Sequence, residues 1–287
     1  MRTIDTGDTV QLAGLGFPEA LRWRDGALWF SDMFRARVVR WVPGEAPEVI
    51  LDETRGGPGM PGGLGWLPDG ALLVVDCLER RLLAVRNGRV STHADLSTMT
   101  AHPLNDMHVD ADGTAWVGGY GFDPDVDAPH ASPLYRVSAT GSIAATASRL
   151  VFPNGCDRLS GDLVVAETFA DRLTVVSPTG ACTPRWDLPA GSGPDGIAVG
   201  SRGELWVALA FARALARIDA DGTATIAYTP QSPPDHPGSG QLSVYDCAMT
   251  FQGSTLAIAC ADADEARALA EDTGLIRLLS VAELSAR

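Results

Sequence analysis

Four oxygen-bearing residues stand out by their placement: Glu19, Asn105, Asn154 and Asp195. Each opens a stretch where a short apolar segment, a Gly-containing turn and a second apolar segment follow in order. Two carboxylates and two amide oxygens make an all-oxygen ligand set, which suits hard or borderline divalent cations such as Ca, Mg or Mn. No His stands at these positions, which argues against a nitrogen-rich zinc centre, while oxygen ligands leave Zn or Fe open. As isolated dipeptides, Asn154-Gly155 and Asp195-Gly196 are ordinary turn pairs. Glu19 is different, because it lies between Pro18 and an apolar strand start where a small or turn residue is expected. Four such residues in register read as one metal site.

Residues so far apart in the chain need a fold that gathers them. Residues 152–180 read as a turn, a short strand, a Gly-containing turn, an apolar strand, a polar corner and a third strand. The same plan recurs from residues 16, 61, 104, 193 and 245. The six units lie at intervals of roughly 41 to 52 residues, the spacing of propeller blades. The expectation is an all-β, six-bladed β-propeller, one domain over residues 1–287. The first strand of each blade lines the central channel, so the four residues meet at one channel end. Residues 3–12 read as a lone strand that pairs beside residues 275–280 and closes the ring, leaving only short edges.

Asp25-Gly26, Asp69-Gly70 and Asp112-Gly113 suit hairpins that need positive φ. The runs ALWFSD, ALLVVD, DLVVAE and ELWVAL are apolar on both faces, as strands packed between neighbouring sheets must be. Arginines at the corners 35–40 and 80–81 read as solvated faces. Residues 53–61, 120–133 and 228–241 break the repeat, and some of them are expected over one mouth of the ring. Residues 262–271 have helix-forming composition.

The net charge of −14 argues against nucleic acid, which needs clustered Lys and Arg, and against an anionic membrane surface. No apolar run approaches the ~20 residues that span a bilayer. The first residues lack the basic start and apolar core of a secretory signal. Five cysteines at irregular spacing, with no CxxC, read as reduced thiols in a cytoplasmic protein. The expected partner is a small-molecule substrate, with the protein a monomer or a weak homo-oligomer.

The motifs FPEALRWRDGALWFSD (17–32), PLNDMHVDADGTAWVG (103–118), FPNG with LVVAET (152–168) and GPDGIAVGSRGELWVA (193–208) occur in one order along the chain. Through them it resembles the SMP-30/gluconolactonase/luciferin-regenerating-enzyme (LRE) family of six-bladed propellers. The resemblance implies metal ligands at Glu19, Asn154 and Asp195, with Asn105 near metal and substrate and Asp195 as general base. It implies one divalent cation, calcium first. The activity implied is lactone hydrolysis by a metal-polarised carbonyl and an attacking water, that of a carboxylic ester hydrolase.

Two departures bear on the substrate. Sugar-lactonase relatives carry an arginine two residues before the ND asparagine, where this chain has Pro103 preceded by His102. Their usual start around the glutamate is replaced by Phe17-Pro18-Glu19-Ala20. An aldonolactone is therefore not the expectation, and the mouth reads as more apolar. Phe17, Met60, Phe122 and Phe211 are the expected lining, with His102 and Asn105 as further substrate contacts. Two other functions stay open: a non-hydrolytic reaction such as a cyclisation or isomerisation, and a non-enzymatic ligand-binding propeller.

Other chemistry is weaker. There is no GxSxG elbow. Cys156 and Cys247 read as packed thiols. His102 and His108 flank the ND pair, either a proton shuttle or, more commonly, a satisfied histidine. Trp23, Trp29, Trp66, Trp116 and Trp206 recur at similar unit positions and read as inter-blade packing. Glu167 reads as bonded to neighbouring backbone.

Overall fold

The computed structural model describes residues 1–5, 10–200, 202–219, 221–230, 242–249 and 254–285. Six antiparallel sheets stand around a central channel. The innermost strands are Pro18–Arg24, Pro61–Trp66, Leu104–Val109, Pro153–Leu159, Pro194–Val199 and Ser243–Met249. Each touches the next, and the sixth touches the first, so the ring is closed. Blades 1 to 5 each run outward through four consecutive strands.

The sixth blade closes the ring with chain from the other end. Val10–Leu15 pairs antiparallel with Gly274–Ser280, with Val10 opposite Leu278 and Ala13 opposite Leu275. Closure is as expected, but residues 3–12 are not one strand. Arg2–Asp5 folds back on the outside of Val10–Leu15 as a fifth strand, Asp5 opposite Val10. The apolar residues of 10–15 belong to the core, and Leu12 and Leu15 are fully buried.

The second strands confirm that the apolar runs are packed on both faces. Leu72–Asp76 and Leu205–Leu209 are buried along their whole length. Trp116 and Trp206 are buried between blades, and Trp29 of blade 1 meets Trp66 of blade 2 edge-on, 5.5 Å apart. Asp25 and Gly26 both have positive φ, whereas at residues 69–70 and 112–113 only the glycine does. A seven-residue helix, Glu265–Glu271, is capped by Asp264, which accepts from the Arg267 N–H. The loop 228–241 lies mostly outside the described residues. No helix is long and apolar enough to cross a membrane.

Two of the corner arginines do more than cover a solvated face. Arg37 pairs with Asp32 at 2.7 Å and Arg81 with Asp76 at 2.9 Å, and both acids are buried at the ends of second strands. Arg172 and Glu167 repeat the arrangement at 2.7 Å in blade 4. A buried carboxylate at that position needs a counter-charge, and the arginine five residues on supplies it.

Candidate functional site at one mouth of the channel

Every innermost strand carries a pairing irregularity near its start. The register shifts between Glu19 and Arg22, Pro61 and Leu64, Leu104 and Met107, Pro153 and Cys156, Pro194 and Ile197, and Val244 and Asp246. Bulges re-aim side chains away from the regular alternation. One strand position sits in or at the edge of all six: Glu19, Gly62, Asn105, Asn154, Asp195 and Tyr245.

The segments leading to this ring are pinned by the buried acids Asp32 and Glu167 and by the half-buried Asp171. Asp32 accepts from the N–H groups of Gly16 (2.9 Å) and Phe17 (3.0 Å), just before Glu19. Glu167 accepts from the Val151 N–H at 2.7 Å, before Asn154, which bears out its backbone-bonding role. Asp171 accepts from the N–H of Gly191 (2.8 Å) and Gly193 (2.9 Å), before Asp195. Glycine lets neighbouring strands approach. A Cβ on Gly155 would lie 2.6 Å from the Asp195 carbonyl oxygen, and one on Gly62 would lie 2.6 Å from that of Asn105.

The amides are joined in a relay. The Asn105 side-chain amide donates to Asn154 Oδ1 at 2.7 Å. Asn154 Nδ2 donates to Thr168 Oγ1 at 3.2 Å, and the Thr168 hydroxyl donates to the Pro194 carbonyl at 2.8 Å, next to Asp195. Both amide N–H₂ groups face protein acceptors, which leaves Asn105 Oδ1 and the second lone pair of Asn154 Oδ1 for a ligand.

Burial pushes the Glu19 carboxyl well above its ordinary range, and the charge of Asp195 raises it further. Burial does the same to Asp195, reinforced by Asp246 and Asp106. Among the described residues no ion pair involves Glu19 or Asp195. Such a pair of carboxylates either holds protons or holds a cation. With two amide oxygens beside them, the donor set fits a hard divalent ion. No group of three or more His, Cys, Asp or Glu able to hold a metal ion is found among the described residues, and half of this set is amide.

Below the ring the channel is crossed by a buried charge network. Arg22 donates to both oxygens of Asp106 (2.7 and 3.0 Å) and lies 3.8 Å from Asp246. Asp246 also accepts from the N–H groups of Cys247 (2.8 Å) and Leu21, so it ties blade 6 to blade 1. Beyond this network, at the opposite mouth, lies a cavity of about 530 Å3 whose lining includes Trp23, Trp66, His108, Asp110 and Asp157.

The sequence-derived residues separate accordingly. Glu19, Asn105, Asn154 and Asp195 share one mouth. His108 belongs to the other, between Asp110 (3.4 Å) and Asp157 (3.6 Å), and so is no shuttle for this ring. Cys156 and Cys247 are buried, and burial raises both thiols, as packed cysteines should be. Met60 is half-buried beside the ring, His102 is half-buried before Leu104, and Phe211 is 52% exposed. Phe122 is fully buried under Phe152 and Phe169, so it backs the wall and does not line it. The reading passed over Thr168, Arg22, Asp106 and Asp246. It also passed over Tyr120 and Tyr245, whose phenols are raised by burial and then by Asp195 and Glu19, with Cys77 acting on Tyr120 as well. Tyr245 was detectable, because it holds the ring position in the sixth repeat.

The family profile described as the SMP-30/Gluconolactonase/LRE-like region matches residues 17–234. Solved structures with the same fold include a calcium-binding protein, regucalcin, from Agrobacterium tumefaciens (20% identity, TM-score 0.72, covering 92% of this chain and 90% of that one). A gluconolactonase from Xanthomonas campestris matches at 21% identity and TM-score 0.69, covering 96% and 90%. A streptogramin B lyase matches at 15% identity and TM-score 0.64, covering 91% and 78%. No functionally curated protein matches the sequence.

Proposed function

We propose that this chain, which belongs to the SMP-30/gluconolactonase/LRE-like family, hydrolyses a small lactone at the Glu19–Asn105–Asn154–Asp195 ring with one divalent cation. The observation that carries the reading is a half-buried Glu19 and a buried Asp195 at one channel mouth, each raised by desolvation and neither with an ion-pair partner among the described residues. Glu19, Asn154 and Asp195 hold the cation, and Asn105 stands between it and the substrate. Calcium is the first choice because every donor is a hard oxygen. When bound, the cation polarises the lactone carbonyl as a Lewis acid.

The chain's own groups do the proton work. Asp195 takes the proton of the attacking water and returns it to the alkoxide released when the ring C–O bond breaks. Thr168 holds Asn154 and the Asp195 strand at a fixed separation. Burial keeps Tyr120 protonated, so its hydroxyl remains a hydrogen-bond donor. Cys77, Cys156, Cys247 and Cys260 are buried thiols in no disulfide, which supports a cytoplasmic location.

Lactone turnover before and after chelation tests the reading, with calcium added back. Turnover is expected to vanish and return. Asp195→Asn is expected to lower kcat/KM by roughly 10²- to 10⁴-fold with the fold intact by circular dichroism. Turnover that survives both treatments would contradict it. Product mass separates hydrolysis, which adds one water, from a lyase or isomerase reaction, which adds none.

A further inference from the structure

Rising from the oxygen ring toward solvent, the next level is almost wholly apolar. Two residues before each ring position stand Phe17, Met60, Pro103, Phe152, Gly193 and Ser243. Gly193 is covered by the Phe211 ring, which lies where a Cβ on that glycine would project. Five of the six sectors therefore present a hydrocarbon or aromatic surface.

The rings form two arcs. In the first, Tyr120 meets Phe152 at 4.5 Å, Phe152 meets Phe169 at 5.1 Å and Phe169 meets Phe211 at 5.4 Å. This arc crosses blades 3, 4 and 5, and Phe122 supports it from behind, 5.9 Å from Phe152. In the second, Phe17 meets Phe34 at 4.6 Å and Tyr245 at 4.5 Å, across blades 1 and 6. All these side chains come from the starts of inner strands, the ends of second strands or the turns just after them, so both arcs stand over the same mouth as Glu19 and Asp195.

The arcs are built into the backbone. Phe152 has φ of 56°, a left-handed conformation that bulky residues adopt only where the surroundings enforce it. Its neighbour Val151 is held by Glu167 at 2.7 Å. The ring two residues ahead of Asn154 is thus fixed by the same acid that anchors the Asn154 segment.

We infer that the substrate of this ring is a lactone bearing an aryl or alkyl substituent, with the substituent held by the Phe152–Phe169–Phe211 arc. The inference rests on the hydrolase reading above. A polyhydroxylated lactone can stack a face on such rings, but its hydroxyls then need partners. Among the described residues two positions before the ring only Ser243 carries a side-chain hydroxyl, and the arcs add just the Tyr120 and Tyr245 phenols, fewer than a polyhydroxylated lactone would call on. Unpaired hydroxyls lose the hydrogen bonds they make in water. An aryl or alkyl group makes no such demand and gains from leaving water. Phe211, 52% exposed, is the ring with the most surface left to cover.

The test compares a phenyl-substituted δ-valerolactone, unsubstituted δ-valerolactone and glucono-δ-lactone on the calcium-loaded protein. Calorimetry with the phenyl-substituted δ-lactam, which resists hydrolysis, reads binding without turnover. The phenyl lactone is expected to exceed gluconolactone at least about tenfold in kcat/KM. Phe211→Ala is expected to lower the phenyl-to-unsubstituted kcat/KM ratio by about tenfold, mostly through KM, and to weaken lactam binding in parallel. A purely structural role would lower both substrates together and leave the ratio unchanged. Gluconolactone turned over as well as the phenyl lactone overturns the inference and leaves the hydrolase reading standing. Lactam binding that weakens in Phe211→Ala, with no lactone hydrolysed, supports the apolar site and overturns the hydrolase reading.

Discussion

The two mouths of the channel are made by the same six strands, yet they differ in how charge is settled. At the far mouth each charge has a partner. Asp110 accepts from Arg158 (2.6 and 2.8 Å) and from the Trp116 indole (2.8 Å). Asp157 accepts from the N–H groups of Arg158 (2.7 Å) and Val199 (2.8 Å). At the near mouth Glu19, half-buried, and Asp195, buried, have like charges as neighbours. A cavity of about 530 Å3 lies at the far mouth, but the unbalanced charge is at the near one. Volume marks where something fits, whereas an uncompensated buried charge marks where something is required.

The contrast can be broken most strongly by removing a carboxylate from one mouth and a titratable group from the other. Glu19→Gln is expected to weaken calcium binding by at least about 10²-fold, because one of two ligand charges is lost. His108→Asn, at the far mouth, is expected to leave calcium affinity within about threefold. Calorimetric titration reads both, and equal losses would erase the distinction.

A smaller effect belongs to the network between the mouths. Arg22→Met leaves Asp106 and Asp246 buried without their shared cation, and a broken buried pair costs about 3–5 kcal/mol. The urea midpoint should fall accordingly. Glu19→Gln, by contrast, relieves repulsion and should raise the midpoint of the chelated protein.

The smallest effect is one of pH. Burial pushes Asp246 up to about 7 from 3.8, against the pull of Arg22, and holds Glu19 and Asp195 above their ordinary range. These folded-state values exceed the unfolded ones. Their stabilisation is complete below about pH 4 and is lost as pH rises through the folded values. The chelated protein should therefore lose stability steadily between about pH 4 and 7. Calcium, which binds the ionised carboxylates, should cancel the loss. Asp110, held below its usual range by His108, Arg158 and Trp116 despite its burial, has the opposite sign and acts only at lower pH.

Much of this was legible in the sequence because blades repeat. Glu19, Asn105, Asn154 and Asp195 hold one repeat position, so periodicity alone set them in register. What stayed hidden depends on partners far away in the chain. Arg22 looks like any strand arginine until Asp106 and Asp246 close on it. Arg37 and Arg81 look solvated because their acids, Asp32 and Asp76, sit inside apolar runs where a terminal carboxylate reads as a strand end. Phe122 reads as a mouth residue because its loop is at the mouth, and only three-dimensional packing shows that Phe152 and Phe169 cover it. Residues 3–12 read as one strand because alternation does not reveal where a chain doubles back.

Diffraction from crystals soaked in manganese, with the anomalous signal mapped around the channel, tests the central claim most directly. One peak bonded by side-chain oxygens of Glu19, Asn154 and Asp195, at roughly 2.0–2.5 Å, is the result expected. A peak among Asp110, Asp157 and His108, or no peak in the channel at all, would contradict it.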